Sequence, residues 1–139
     1  MYRSIDSVAL NATTLDLSWR WLHRAVAALC MLFGLVYWAR LIGIDDGMGW
    51  RFDLMPVHWQ VASVVLAVLY PFAASGLWMI SSWGAVIWFL CAATEVVMHA
   101  GFPDLFGSRP MLIVLHVAVA AVYCGYRAAF LIRQRRQAD

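Results

Sequence analysis

Four uninterrupted apolar runs constrain this chain more than any other feature. They cover about residues 21–44, 57–80, 83–102 and 110–132. At a rise of about 1.5 Å per residue, a helix of some twenty residues spans a hydrocarbon core of roughly 30 Å. Membrane strands alternate in polarity over about ten residues, and these runs do not, which argues against sheet. A soluble fold is excluded on the same evidence. Apolar residues make up 64% of the chain and charged residues 13%, against about 45–50% and about 25% in ordinary globular domains. A domain this small leaves much of its surface exposed, so water could not be kept from so much apolar area.

The expected fold is therefore an all-α membrane protein, with four transmembrane helices in an antiparallel up-down bundle forming one domain over 1–139. Charge sets the expected orientation. Arg3, Arg20 and Arg24 precede the first run, and Arg127, Arg133, Arg135 and Arg136 close the fourth. An even number of spans puts both ends on one side, and the positive-inside rule makes that side the cytoplasm. Between the spans, Asp45, Asp46, Asp53 and Asp104 face Arg51 and Arg109, which points the same way. Residues 1–20 mix Ile5, Val8, Leu10, Leu15 and Leu17 with polar groups and form a candidate interfacial helix. They lack the continuous apolar core of a cleavable signal. All ten basic residues are arginine, a composition suggesting a GC-rich genome and hence the inner membrane of a bacterium.

Local features refine the spans. The turn Ser81-Ser82-Trp83-Gly84 makes the second and third helices a tight hairpin. Trp50, Trp59, Trp78 and Trp83 fall near span ends, as an interfacial aromatic belt requires. Pro71 lies inside the second helix and frees a backbone carbonyl, which predicts a kink. Ala73, Ala74, Ser75 and Gly76 follow it and invite close helix approach, as do Ala121 and Gly125 on the fourth helix. Asp45-Asp46-Gly47 and Gly49 read as turns in the outer loop.

Ionisable groups inside a bilayer are costly and carry a functional hypothesis by default. Glu95, the only glutamate, lies about 10 Å below the outer end of the third helix. His99 follows at i+4 on the same face. His116, His58 and Arg40 come from the other three helices and share that outer half. Several chemistries fit the group. His58, Glu95, His99 and His116 are candidate metal ligands, and His99 or His58 with His116 could hold a haem axially. Arg40, Glu95 and Tyr123 could instead form a structural ion pair or a proton relay. His23 sits at the inner end beside Arg24 and reads as interfacial. If the face bearing Trp88, Cys91, Glu95, His99 and Phe102 meets the one bearing His116, Ala120, Tyr123 and Arg127, a polar spine results; Tyr37 and Tyr70 support such a seam.

Other chemistries find no footing. Cys30, Cys91 and Cys124 are isolated within apolar runs, and the scattered methionines form no Met-x-x-Met pair. Phosphate loops, nucleophile elbows and nucleic-acid patches are missing from the sequence, so membrane lipid and other membrane proteins are the expected partners. The chain departs from small multidrug transporters, whose glutamate is in the first span. It lacks the helix-two pattern of membrane-associated eicosanoid and glutathione enzymes, the cysteine pair of vitamin K epoxide reductases, and the two-sided histidines of dihaem cytochromes. In composition and length it is similar to short membrane proteins of alphaproteobacteria, from which no residue role follows. The leading functional expectation is a non-enzymatic accessory or regulatory subunit acting through intramembrane helix contacts, with another membrane protein or a second copy as partner. A haem- or metal-binding redox protein and a proton-coupled transporter using Glu95 are the alternatives.

Overall fold

The computed structural model describes residues 2–44 and 51–138, with side chains over 14–44 and 51–136. The turns expected at Asp45-Asp46-Gly47 and Gly49, and Trp50 of the aromatic belt, lie outside the described residues. Helix α1 runs Tyr2–Ile42, α2 Val57–Trp78, α3 Ser82–Val96, α4 Pro103–Phe106 and α5 Pro110–Ala138. A 3-10 turn, Phe52–Leu54, precedes α2, and a π-helical segment, Val97–Gly101, extends α3. No strand occurs among the described residues. Four helices are long and apolar enough to cross a membrane: Thr14–Ile42, Val57–Trp78, Ser82–Gly101 and Pro110–Arg136.

Two element boundaries each have a local reason. The candidate interfacial stretch 1–20 is joined to the first span, since α1 continues from Tyr2 without a break. Neither Gly nor Pro occurs before Gly34, so nothing in the backbone interrupts the hydrogen-bond ladder. The third span ends in π rather than α pairing. That wider turn shifts the register after Val96, so His99 does not keep the position a regular helix gives i+4.

The core lies between α1, α2 and α3. On α2 the buried residues Leu66, Ala67, Tyr70, Ala73, Ala74 and Leu77 follow one helical face. Where α1 crosses α2, Gly34 stands against Pro71: a Cβ added to Gly34 would meet the Pro71 Cδ at 3.0 Å. Pro71 has no N–H, so the carbonyl of Ala67 four residues earlier loses its helical donor. Trp38 of α1 replaces it, its indole N–H donating to Ala67 O at 3.0 Å. A polar group that lipid cannot satisfy is thereby closed from a neighbouring helix.

The α2–α3 hairpin is closer still. A Cβ added to Gly76 would fall 2.5 Å from the Gly84 Cα, and one on Gly84 would strike the Gly76 and Leu77 backbone. The two helices touch main chain to main chain. The small residues after Pro71 were expected to admit a neighbouring helix, and α3 is that neighbour. The turn is a Schellman cap: Ile80 N–H donates to Leu77 O and Ser81 N–H to Gly76 O. Ile80 takes the left-handed position at φ 56°, where a β-branched residue is strained.

Helix α5 is attached differently. In its spanning window 6% of residues are buried, against 33–50% in the other three. His116 is its one buried side chain among the described residues. At the far end Trp19 of α1 packs on Tyr123, Tyr126 and Phe130 of α5, with ring centroids 5.2, 6.0 and 5.5 Å away. Outside the spans, the Arg51 guanidinium grips Asp53 at 2.7 and 3.1 Å. That pairing holds the exposed Asp53 carboxyl below the usual carboxylate range.

Candidate functional site

All four spanning helices contribute a polar or aromatic side chain to one buried cluster around Glu95, which has no solvent exposure. Tyr37 of α1 donates its hydroxyl hydrogen to Glu95 Oε1 at 2.5 Å. His116 Nε2 of α5 lies 3.3 Å from Glu95 Oε2. Tyr70 Oη of α2 lies 3.3 Å from the same His116 nitrogen. Tyr37 and Tyr70 stack, 5.9 Å between centroids and 14° from parallel. Phe33 covers His116 at 5.7 Å and Tyr70 at 5.5 Å. The apolar ring edges exclude water, and the hydroxyls and imidazole replace it.

Backbone bonding fixes where the protons sit. His116 Nδ1 is 2.9 Å from Leu112 O. A carbonyl oxygen can only accept, so Nδ1 carries a hydrogen. Nε2 lies 3.3 Å from both the Tyr70 hydroxyl and Glu95 Oε2. Oε2 itself makes no hydrogen bond, so the carboxyl group is held through Oε1 by Tyr37 and faces the imidazole with its other oxygen.

The remaining sequence-derived candidates lie around this cluster rather than in it. Arg40 is buried, and its guanidinium lies over the rings of Tyr37 at 5.4 Å and Trp59 at 5.1 Å. Arg40 therefore borders the cluster through the face of the Tyr37 ring. His99 donates from Nδ1 to Gly107 O at 2.9 Å. His58 donates from Nε2 to Leu105 O at 3.0 Å, with its ring edge-on to Phe106. Both histidines thus tie down the loop that joins α3 to α5. Gly107 takes φ 78° in that loop, which suits a residue without a Cβ.

Tyr123 stands far along α5 from His116 and packs with Trp19, His23, Trp88 and Phe89. The two faces proposed to form a spine do meet, through His116 with Glu95 and Tyr123 with Trp88. The upper contact is polar and the lower one aromatic.

Tyr37 and Tyr70 are the participants that sequence reasoning left out of its candidate sets. The signal available for them was their place inside spans, opposite the only intramembrane carboxylate. Among the described residues, no group of three or more His, Cys, Asp or Glu side chains gathers at metal-ligand spacing. The imidazoles serve separate tasks: His116 faces Glu95, while His58 and His99 meet loop carbonyls.

Comparison with curated proteins and with solved structures gave no match. One family model, described as a family of unknown function (DUF6163), matches residues 17–134. That stretch contains all of the cluster and nearly all of the four spans, and the chain belongs to the DUF6163 family.

Proposed function

We propose that this protein is a non-enzymatic accessory membrane subunit that works through intramembrane helix contacts made by α5. In this reading it is an antiparallel up-down bundle in a bacterial inner membrane, with both termini in the cytoplasm. The arginines at both ends support that orientation, as does the packing of the α1 and α5 inner halves around Trp19. The observation that carries the functional reading is the low burial of α5, 6% against 33–50% for its neighbours. Ala121, Gly125 and Ala129 on α5 are exposed at one-turn intervals, and a Cβ on Gly125 would meet nothing within 4 Å. Such a stripe lets another helix approach to backbone distance. The Glu95–His116 pair is the polar pin that fixes where α5 stands, so its role is to present that face.

The test is cross-linking in native membranes from photoreactive residues at Ala121 and Gly125, followed by isolation in mild detergent. A discrete adduct with another membrane protein, lost in His116→Leu, is the expected result. Adducts with lipid alone, from a chain that isolates without companions, would overturn the reading.

A second reading rests on the buried Glu95–His116 contact at 3.3 Å. A carboxyl group facing an imidazole inside a span is the kind of site a proton-coupled transporter uses. Proton flux into liposomes that persists unchanged in Glu95→Gln would remove this reading.

A further inference from the structure

A cavity of about 350 Å³ lies at the opposite end of the helices from Glu95. Trp19 and His23 of α1, Ser81 and Ser82 at the hairpin turn, and Tyr123 and Arg127 of α5 supply its polar rim. The floor is apolar, and no Asp or Glu contributes to the lining. Three observations on this cavity point to an anion.

The first is His23, which is 3% exposed. Its Nδ1 is turned back on its own helix and donates to Trp19 O at 3.1 Å. His23 lines the cavity, and its Nε2 makes no hydrogen bond to a described residue. Nε2 is open to a partner from outside the chain, and in the protonated ring it would donate to an anion.

The second is the start of α3. Ser81 is its N-cap residue but makes no side-chain cap. Its hydroxyl donates instead to Gly76 O at 2.7 Å. The first-turn N–H groups of α3 therefore lack the usual side-chain acceptor and present the positive end of the helix at the turn.

The third is Arg127, an exposed guanidinium on the rim with no ion pair among the described residues. A phosphate oxygen group supplies what all three lack: acceptors for uncapped N–H groups and for a guanidinium fork, and a counter-ion that makes Nε2 of His23 a donor. The apolar floor suits the glycerol and first methylenes of a lipid better than a hydrated free ion.

From this geometry we infer that the cavity between the α1 inner half, the α2–α3 turn and α5 binds the phosphate group of an anionic phospholipid, held by Arg127, His23 and the α3 N-terminus. The inference is independent of the partner proposed for α5. The bound headgroup would link three helices at the end opposite the Glu95 cluster.

Native mass spectrometry of the full chain, delipidated and then titrated, tests it. The probes are phosphatidylglycerol, phosphatidylcholine and inorganic phosphate. One phosphatidylglycerol per chain is expected, retained about ten-fold better than phosphatidylcholine, whose choline would bring a second cation into a basic site. Arg127→Gln and His23→Leu should each weaken that retention by about ten-fold. Arg133→Gln, which removes an equal charge outside the cavity, should change it less than about two-fold. Equal losses in Arg127→Gln and Arg133→Gln would reduce the effect to general charge and overturn the site. Equal occupancy by inorganic phosphate at matched concentration would overturn the lipid assignment. Helical content of each variant by circular dichroism separates lost binding from lost folding, and Arg127→Lys, keeping the charge, should recover part of the retention.

Discussion

At the closest approach of α2 and α3, Gly76 and Gly84 bring bare backbones together, with the Trp83 ring laid against Gly76. Where α5 meets its neighbours, contact depends on side chains: His116 at one end and the Tyr123–Tyr126–Phe130 ring stack at the other. The hairpin is held by shape, in many small contacts whose failure at one atom propagates along the helix. The fourth span is held at discrete points, each removable without disturbing the next. A membrane helix gains little from leaving lipid for an equally apolar protein face, so specific contacts decide where it stands.

That contrast can be broken most directly at the pin. His116→Leu leaves Glu95 buried without its charge partner and should cost about 3–5 kcal/mol, with separation of α5 preceding loss of the three-helix core. The double variant Glu95→Leu with His116→Leu should recover most of this stability, since no orphan charge remains. Unfolding in mixed micelles, followed by a fluorophore on α5 and another on α2, reads both.

Gly84→Ala attacks the hairpin and should cost about 1–3 kcal/mol, toward the upper limit because the clash is with backbone rather than a movable side chain. Here both fluorophores should respond together. If α5 leaves first in Gly84→Ala as well, the two regions do not differ in the way described.

Trp38→Phe is milder, about 1–3 kcal/mol at most for one orphaned carbonyl at Ala67. It carries its own control, because Pro71→Ala restores the missing N–H. In that background Trp38→Phe should cost measurably less.

The smallest effect should come from the loop outside both regions. Asp53 is held below the usual carboxylate range by Arg51. Whatever it contributes is present at neutral pH and fades only as pH falls through that lowered value. Both side chains are well exposed, so Asp53→Asn should leave the unfolding midpoint unchanged at neutral pH, with or without added salt.

How much of this was legible beforehand varies by residue. The four spans and the apolar content that drives them into lipid were readable, because hydropathy over twenty residues is a local property. The freed carbonyl before Pro71 was readable for the same reason, but its donor was not. Trp38 lies 29 positions from Ala67, and no local pattern names it. Glu95 and His116 were readable as candidates by polarity and depth. His99 was readable as an intramembrane polar residue, but its bond to Gly107 O was not, because it depends on how the following loop folds back. The continuity of α1 through residue 20 was not legible, since composition alone does not say where one helix joins the next.

By itself the amino-acid sequence determined the membrane helices, their lengths and the rarity of charge within them, because each follows from transferring a short segment into hydrocarbon. Only the tertiary structure decided that Glu95 meets His116 and Tyr37, that His58 and His99 serve loop carbonyls, and that α5 keeps most of its surface outside the core. Those outcomes depend on the rotation of one helix against another, which is set by a few close approaches such as Gly34 on Pro71 and Gly76 on Gly84. Such contacts join residues far apart in the chain, where no local energy favours one rotation over the next.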